Sequence, residues 1–202
     1  MRKRLITATS ALASLLVLTA CSSGSSSSSA SSPESAGSAA ASAAASATGT
    51  YDDHGVTFSY PGTWDPISTG PKKVQAGTAS WEAGFGVSPV DLVLVSQYTI
   101  QVSIDSSNID KATPSLTRTI SGLFQQGGGT MESGPTPSTM GGFPSLEYTG
   151  TISSTDGTPV SSRVVLAFNG NTEYFVNCQY TDAFQAEISD GCDQVVSTFQ
   201  TT

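Results

Sequence analysis

The sequence predicts an α+β fold, an antiparallel β-sheet flanked by helices and preceded by a disordered tether. Three observations predict it. From Tyr98 to Ile104, and again from Leu146 to Ile152, apolar and polar residues alternate with the period of a half-buried strand. Two other stretches, 113–124 and 182–199, space their apolar residues three or four apart, as amphipathic helices do. Residues 22–49, by contrast, hold 13 Ser, 9 Ala and 3 Gly with one Pro, one Glu and one Thr. No large apolar side chain occurs there, so nothing offsets the entropy of ordering the backbone. A flexible chain of this length has an r.m.s. span of roughly 30 Å.

The tether is preceded by Arg2-Lys3-Arg4 and then by 16 residues, Leu5 to Ala20, five of them Thr or Ser. A membrane-spanning helix needs about 20 apolar residues, so the run reads as a cleaved export segment. It ends in Leu18-Thr19-Ala20-Cys21, which resembles the bacterial lipoprotein signal. In that signal the cysteine sulfur receives a diacylglyceryl group and the chain is cut just before it. The resemblance implies a signal peptide over 1–20, Cys21 as the lipidated N-terminus, and a protein held by that lipid on the extracytoplasmic face of the cell membrane. An ordinary secretory signal is the competing reading, and it leaves Cys21 as a free thiol.

The third segment, 50–202, is one globular domain of some 150 residues, enough for a real core. Val56, Phe58 and Tyr60 share one face of a first strand, which Pro61-Gly62 ends before Trp64. Residues 66–80 read as loop, and Trp81 to Val87 as a strand weakened by two glycines. Val90 to Val95 reads as a buried strand, apolar on both faces from Leu92 on, and the alternating strand 98–104 follows. Thr113 is placed to cap a helix, with Pro114 in its first turn and Leu116, Ile120, Leu123 and Phe124 on one side. Gly127-Gly128-Gly129 ends it, and a Pro/Gly-rich passage leads to the strand around Leu146, Tyr148 and Ile152. Asp156-Gly157 is a turn; Asn169-Gly170 joins Arg163–Phe168 to Tyr174–Tyr180 as a hairpin. In the last helix, Phe184, Ile188, Cys192, Val195 and Phe199 form one stripe.

With Cys21 assigned to lipid, Cys178 and Cys192 remain, an even pair in an oxidising compartment. Cys178 shares a strand face with Tyr174, Val176 and Tyr180, and Cys192 lies on the helix stripe, so both point between helix and sheet. A bridge there closes a loop of about 15 residues, worth about 3 kcal/mol in the chain-entropy account.

Phe58-Ser59-Tyr60-Pro61-Gly62-Thr63-Trp64 resembles the F-x-Y-P-x-x-W opening of PsbP-like domains, among them small actinobacterial lipoproteins of the LpqN kind. The ending, a hairpin and then a helix carrying Val195, Val196, Ser197 and Phe199, is similar to theirs as well. The resemblance implies a layered α-β-α sandwich used for binding and assembly, with no shared catalytic set to place on this chain.

Past residue 20 the chain keeps five basic residues against 16 acidic ones, a net charge of −11, which argues against nucleic acid as a partner. Nucleophilic catalysis needs a base near neutral pH. The only histidine is His54, beside Asp52 and Asp53 at the end of the tether, where a surface turn explains it. Those three adjacent side chains cannot converge on one metal ion. Asp105, Ser107, Asn108 and Asp110 look loosely like a calcium loop but lack its turning Gly and closing Glu, and they read as a helix-capping turn. No metal, cofactor or catalytic residue is therefore assigned. Lys72-Lys73 reads as a solvated loop, and Tyr60, Trp64 and Trp81 are candidates either for a ligand groove or for the core. The resulting expectation is a membrane-anchored, non-enzymatic binding or assembly domain with an envelope protein as partner. The alternative is a carrier that holds a lipid or other apolar ligand between sheet and helices. An enclosed apolar cavity of several hundred Å³ favours the second, and a filled core the first.

Overall fold

Side-chain alternation builds the main sheet. A computed structural model describes residues 47–68, 73–74 and 77–202. Cys21, the export segment, residues 22–46 of the tether and Lys72 lie outside the described residues. The strands are β1 (Thr48–Asp53), β2 (Val56–Pro61), β3 (Asp65–Ile67), β4 (Lys73–Val74), β5 (Gly77–Thr78), β6 (Trp81–Gly86) and β7 (Leu92–Ile104). Helix α1 (Ile109–Gln126) separates these from β8 (Thr130–Met140), β9 (Phe143–Ser153) and β10 (Pro159–Tyr180). A 3₁₀ turn (Asp182–Phe184), helix α2 (Gln185–Thr198) and β11 (Gln200–Thr201) close the chain. The main sheet is antiparallel in the order β3-β6-β7-β10-β9-β8, and a small second sheet runs β1-β2-β11.

β10 is extended throughout but folds back on itself. Its first arm pairs with β9 and its second with β7. Ser162 Oγ donates to Asn177 Oδ1 at 2.8 Å, whereas fifteen residues of uninterrupted strand would hold them roughly 50 Å apart. The reversal falls at Asn169-Gly170, where Gly170 takes φ 63°, so the expected hairpin is present.

The two arms fill opposite faces of the sheet. Val165, Ala167, Tyr174, Val176 and Cys178 join one core with α2 and the small sheet, built around Phe58, Trp64, Phe85, Ile188, Val195 and Phe199. Val164, Leu166, Phe168 and Phe175 join the other, under α1, with Tyr98, Ile120, Phe124, Leu146 and Tyr148. The architecture is therefore an antiparallel sheet with a helix on each face.

Several elements differ from expectation, each for a physical reason. The strands expected at Val90–Val95 and Tyr98–Ile104 are one strand, β7, which begins at Leu92. Its polar break is absorbed because buried Ser96 donates to Glu82 Oε2 and Gln97 Oε1 accepts from Trp81 Nε1. The 66–80 stretch is not all loop, since it carries the short strands β3, β4 and β5. Helix α1 starts four residues before Thr113, because Asp105 and Asn108 build the turn that launches it. Asp105 Oδ1 accepts from the Ser107 backbone N–H at 2.8 Å and Asn108 Oδ1 from that of Asp105 at 2.9 Å. Thr113 instead sits inside the helix, its hydroxyl bonded back to the Ile109 carbonyl at 2.9 Å. The Pro/Gly-rich passage after Gly129 forms β8, which tolerates Pro135 and Pro137 because it is the edge of the sheet and its outer side needs no donors. The last tether residues, Thr48 and Gly49, are already strand β1. Phe184 leaves the α2 stripe and is 37% exposed, whereas Ile188, Cys192 and Val195 are fully buried.

Candidate functional site

The aromatic trio lies in the core between the sheet and α2. Trp64 and Trp81 are buried, and Tyr60 is half-buried with its ring stacked on Phe85 at 4.0 Å. Each indole N–H is satisfied: Trp64 Nε1 donates to Glu187 Oε1 at 3.1 Å and Trp81 Nε1 to Gln97 Oε1 at 2.9 Å. A methyl group added at Gly191 would overlap the Trp64 ring, so α2 carries glycine where the indole must pass. None of the three aromatics lines a cavity described here. Cys178 and Cys192 are bonded to each other, with Cα atoms 6.0 Å apart and both residues fully buried. His54 occupies the β1–β2 turn at φ 53°, with its ring stacked on Trp81 at 5.6 Å. Among the described residues no group of three or more His, Cys, Asp or Glu is arranged to hold a metal ion.

The α1 face is different. Helix α1 packs over β8 and β9 at one side of the sheet, and its inward residues leave two adjoining half-open cavities against β7 and β10. One measures about 270 Å³ and is walled by Leu94, Tyr98, Phe124, Ile152 and Val164, with Glu82, Ser162, Asn177 and Gln179 as its polar groups. The other measures about 420 Å³ and is walled by Ile100, Ile104, Leu116 and Leu166, with Glu173 at its edge. Ile120, Leu123 and Phe175 line both, so the two are neighbouring chambers under one helix. A third half-open cavity of about 370 Å³, where Ala47 and Thr48 meet Glu187 and Asp190, has a more polar wall.

The register explains how the acidic groups reach this face. Glu82 pairs with Ser96 and Glu173 with Tyr98, so both carboxylates share the α1 side with Tyr98 between them. Burial pushes the Glu173 carboxyl up to about 7. Burial also raises the Tyr98 hydroxyl, with Glu82 and Glu173 adding to the rise and a hydrogen bond with Ser96 opposing it. Glu82 Oε1 is buried with no hydrogen-bond partner, while its Oε2 is held by Ser96. Neither cavity is lined by a Lys, Arg or His. Chemically this is an apolar slot with acidic polar points, a binding geometry. Sequence reading passed over it, although Glu82 and Glu173 stand at inward positions of their strands.

No family model matches the sequence, and no curated protein matches it. The architecture does match solved structures. The solution structure of cyanobacterial PsbP (CyanoP) from Synechocystis sp. PCC 6803 superposes with a TM-score of 0.55 over 78% of this chain and 94% of that one, at 13% identity. The fold is PsbP-like. LpqN of Mycobacterium tuberculosis, described as involved in cell envelope biogenesis, aligns at 16% identity over 77% of this chain and 91% of its own, with a TM-score of 0.46. A Bacteroides thetaiotaomicron protein aligns at 13% identity and a TM-score of 0.46, covering 73% of this chain; the chain spans less than half of that protein's length. At these identities the PsbP-like likeness is one of fold, and the site has to be argued from its own residues.

Proposed function

We propose that this chain is a membrane-anchored extracytoplasmic lipoprotein whose PsbP-like domain is a non-enzymatic binding domain, holding an apolar ligand between α1 and the sheet. The observation that supports it is the pair of adjoining half-open cavities at α1, about 270 and 420 Å³ and mostly apolar-walled, which together reach the size of small-ligand sites. A filled space under α1 would have favoured a module that only docks on other proteins. The anchor rests on Leu18-Thr19-Ala20-Cys21, and the non-enzymatic reading on a sequence whose single histidine is His54.

Two measurements test the two halves. Cys21→Ala should abolish incorporation of labelled lipid and leave unprocessed precursor; unchanged labelling would sink the anchor. A neutral apolar dye added to the purified chain should brighten on binding, and Leu123→Trp, which fills the wall common to both cavities, should remove that signal. Dye binding that survives Leu123→Trp places the ligand elsewhere.

A further inference from the structure

We infer that the groove under α1 selects amphiphiles whose head carries a positive charge, with the apolar chain along the α1 chambers and the cationic head at Glu82. The inference rests on the ligand-holding reading above and adds the head-group chemistry. Its first support is an unmet bond. Glu82 Oε1 is buried and has no donor, although Oε2 is held by Ser96. A buried carboxylate oxygen without a partner is costly, so a ligand that brings an N–H donor there gains what the empty site lacks.

The second support is charge complementarity. Glu82 and Glu173 stand two strands and two residues apart on the same face, roughly 12 Å from Cα to Cα. No Lys, Arg or His lines either cavity, and neither glutamate enters an ion pair among the described residues. A cation entering this low-dielectric slot meets one sign of charge only, which favours an ammonium head and rejects a carboxylate or phosphate. The third support is the wall. Tyr98 and Phe175 present aromatic rings between the acidic points, surfaces that accept a cation as well as a hydrocarbon chain.

The test titrates the purified full chain, disulfide intact and free of detergent, with decylamine, decanol and decanoate by calorimetry. One decylammonium should bind per chain, at least tenfold more tightly than decanol, and decanoate more weakly than both. Glu82→Gln should bring decylamine down to the decanol level, and Leu123→Trp should remove binding of all three. If decylamine and decanol bind equally, or Glu82→Gln leaves the preference unchanged, the head-group inference is overturned while the apolar groove stands. If decylamine binding survives Leu123→Trp, the cation sits on the acidic surface and the inference also fails. Binding of none of the three removes the ligand-holding reading itself.

Discussion

Glu173 shows how a single side chain carries the chemistry of this face. It projects beside Leu166 and Phe175, opposite Tyr98 across the β7–β10 ladder, and burial raises its carboxyl from 4.5 to about 7. The folded chain therefore binds a proton between these two values that the unfolded chain has lost. Stability then falls as pH rises from about 4.5 to about 7 and is flat with respect to this group outside that window. The penalty at higher pH is at most about 3 kcal/mol, the free energy of the whole shift. Tyr98 and Glu82 share its face, and burial holds the Tyr98 hydroxyl above its ordinary range, so Tyr98 does not titrate in this window. Glu173→Gln should accordingly raise the urea midpoint at pH 8 and leave it unchanged at pH 4. An equal gain at both pH values would show that packing, not ionisation, sets the effect. Asp91 makes the contrasting case of a buried carboxylate that is satisfied: it accepts from the Thr181 backbone N–H at 2.7 Å and from the Thr181 and Ser88 hydroxyls.

At the scale of elements, α2 and the second arm of β10 form one unit, and its logic was legible in the sequence. Ile188, Cys192 and Val195 recur at helical spacing while Tyr174, Val176 and Cys178 alternate, so each pattern names its buried face and the disulfide joins the two. Mass spectrometry of unreduced digests should find Cys178 linked to Cys192. Cys192→Ser should cost about 2–5 kcal/mol, the usual range for a disulfide in a small exported domain, and a loss under about 0.5 kcal/mol would mean that the packing alone holds α2. Other elements were hidden because tertiary context outweighed a local signal. Thr113-Pro114 is a good helix start by residue type, but the turn from Asp105 to Asn108 nucleates α1 earlier, and the missing Pro114 amide costs only one helical bond. β8 escapes notice because prolines mark a loop everywhere except at a sheet edge. β1 escapes because Tyr51 is its only large apolar residue.

At the scale of the whole molecule, the groove follows from a mismatch of widths. With β10 counted as two arms, the main sheet is seven strands across, about 29 Å, and a helix with its side chains is about 10 Å wide. Helix α1 packs on β8 and β9, so Leu94, Phe175 and Glu82 line the space left between it and the rest of the sheet. That placement depends on how one helix sits on one sheet, which no periodicity encodes, and for this reason the aromatic trio was legible as a group while the site was not. The opposite face is closed by a different device, the small sheet, whose outermost strand begins inside the Ser/Ala-rich stretch. Tyr51 of β1 stacks on Phe58 at 4.8 Å and on Trp81 at 5.8 Å, and β1 pairs with β2 along its whole length from Thr48 to Asp53. Two deletions should separate tether from fold. Removing residues 22–46 leaves every one of these contacts in place and should not move the urea midpoint. Removing 22–53 strips β1 from β2, uncovers Val56 and Phe58, which are almost wholly buried, and should cost about 3 kcal/mol or more, as loss of a large core aromatic does. Equal stability of the two deletions would show that β1 contributes nothing to this core, and a drop already in the shorter one would show that the Ser/Ala stretch packs against the domain.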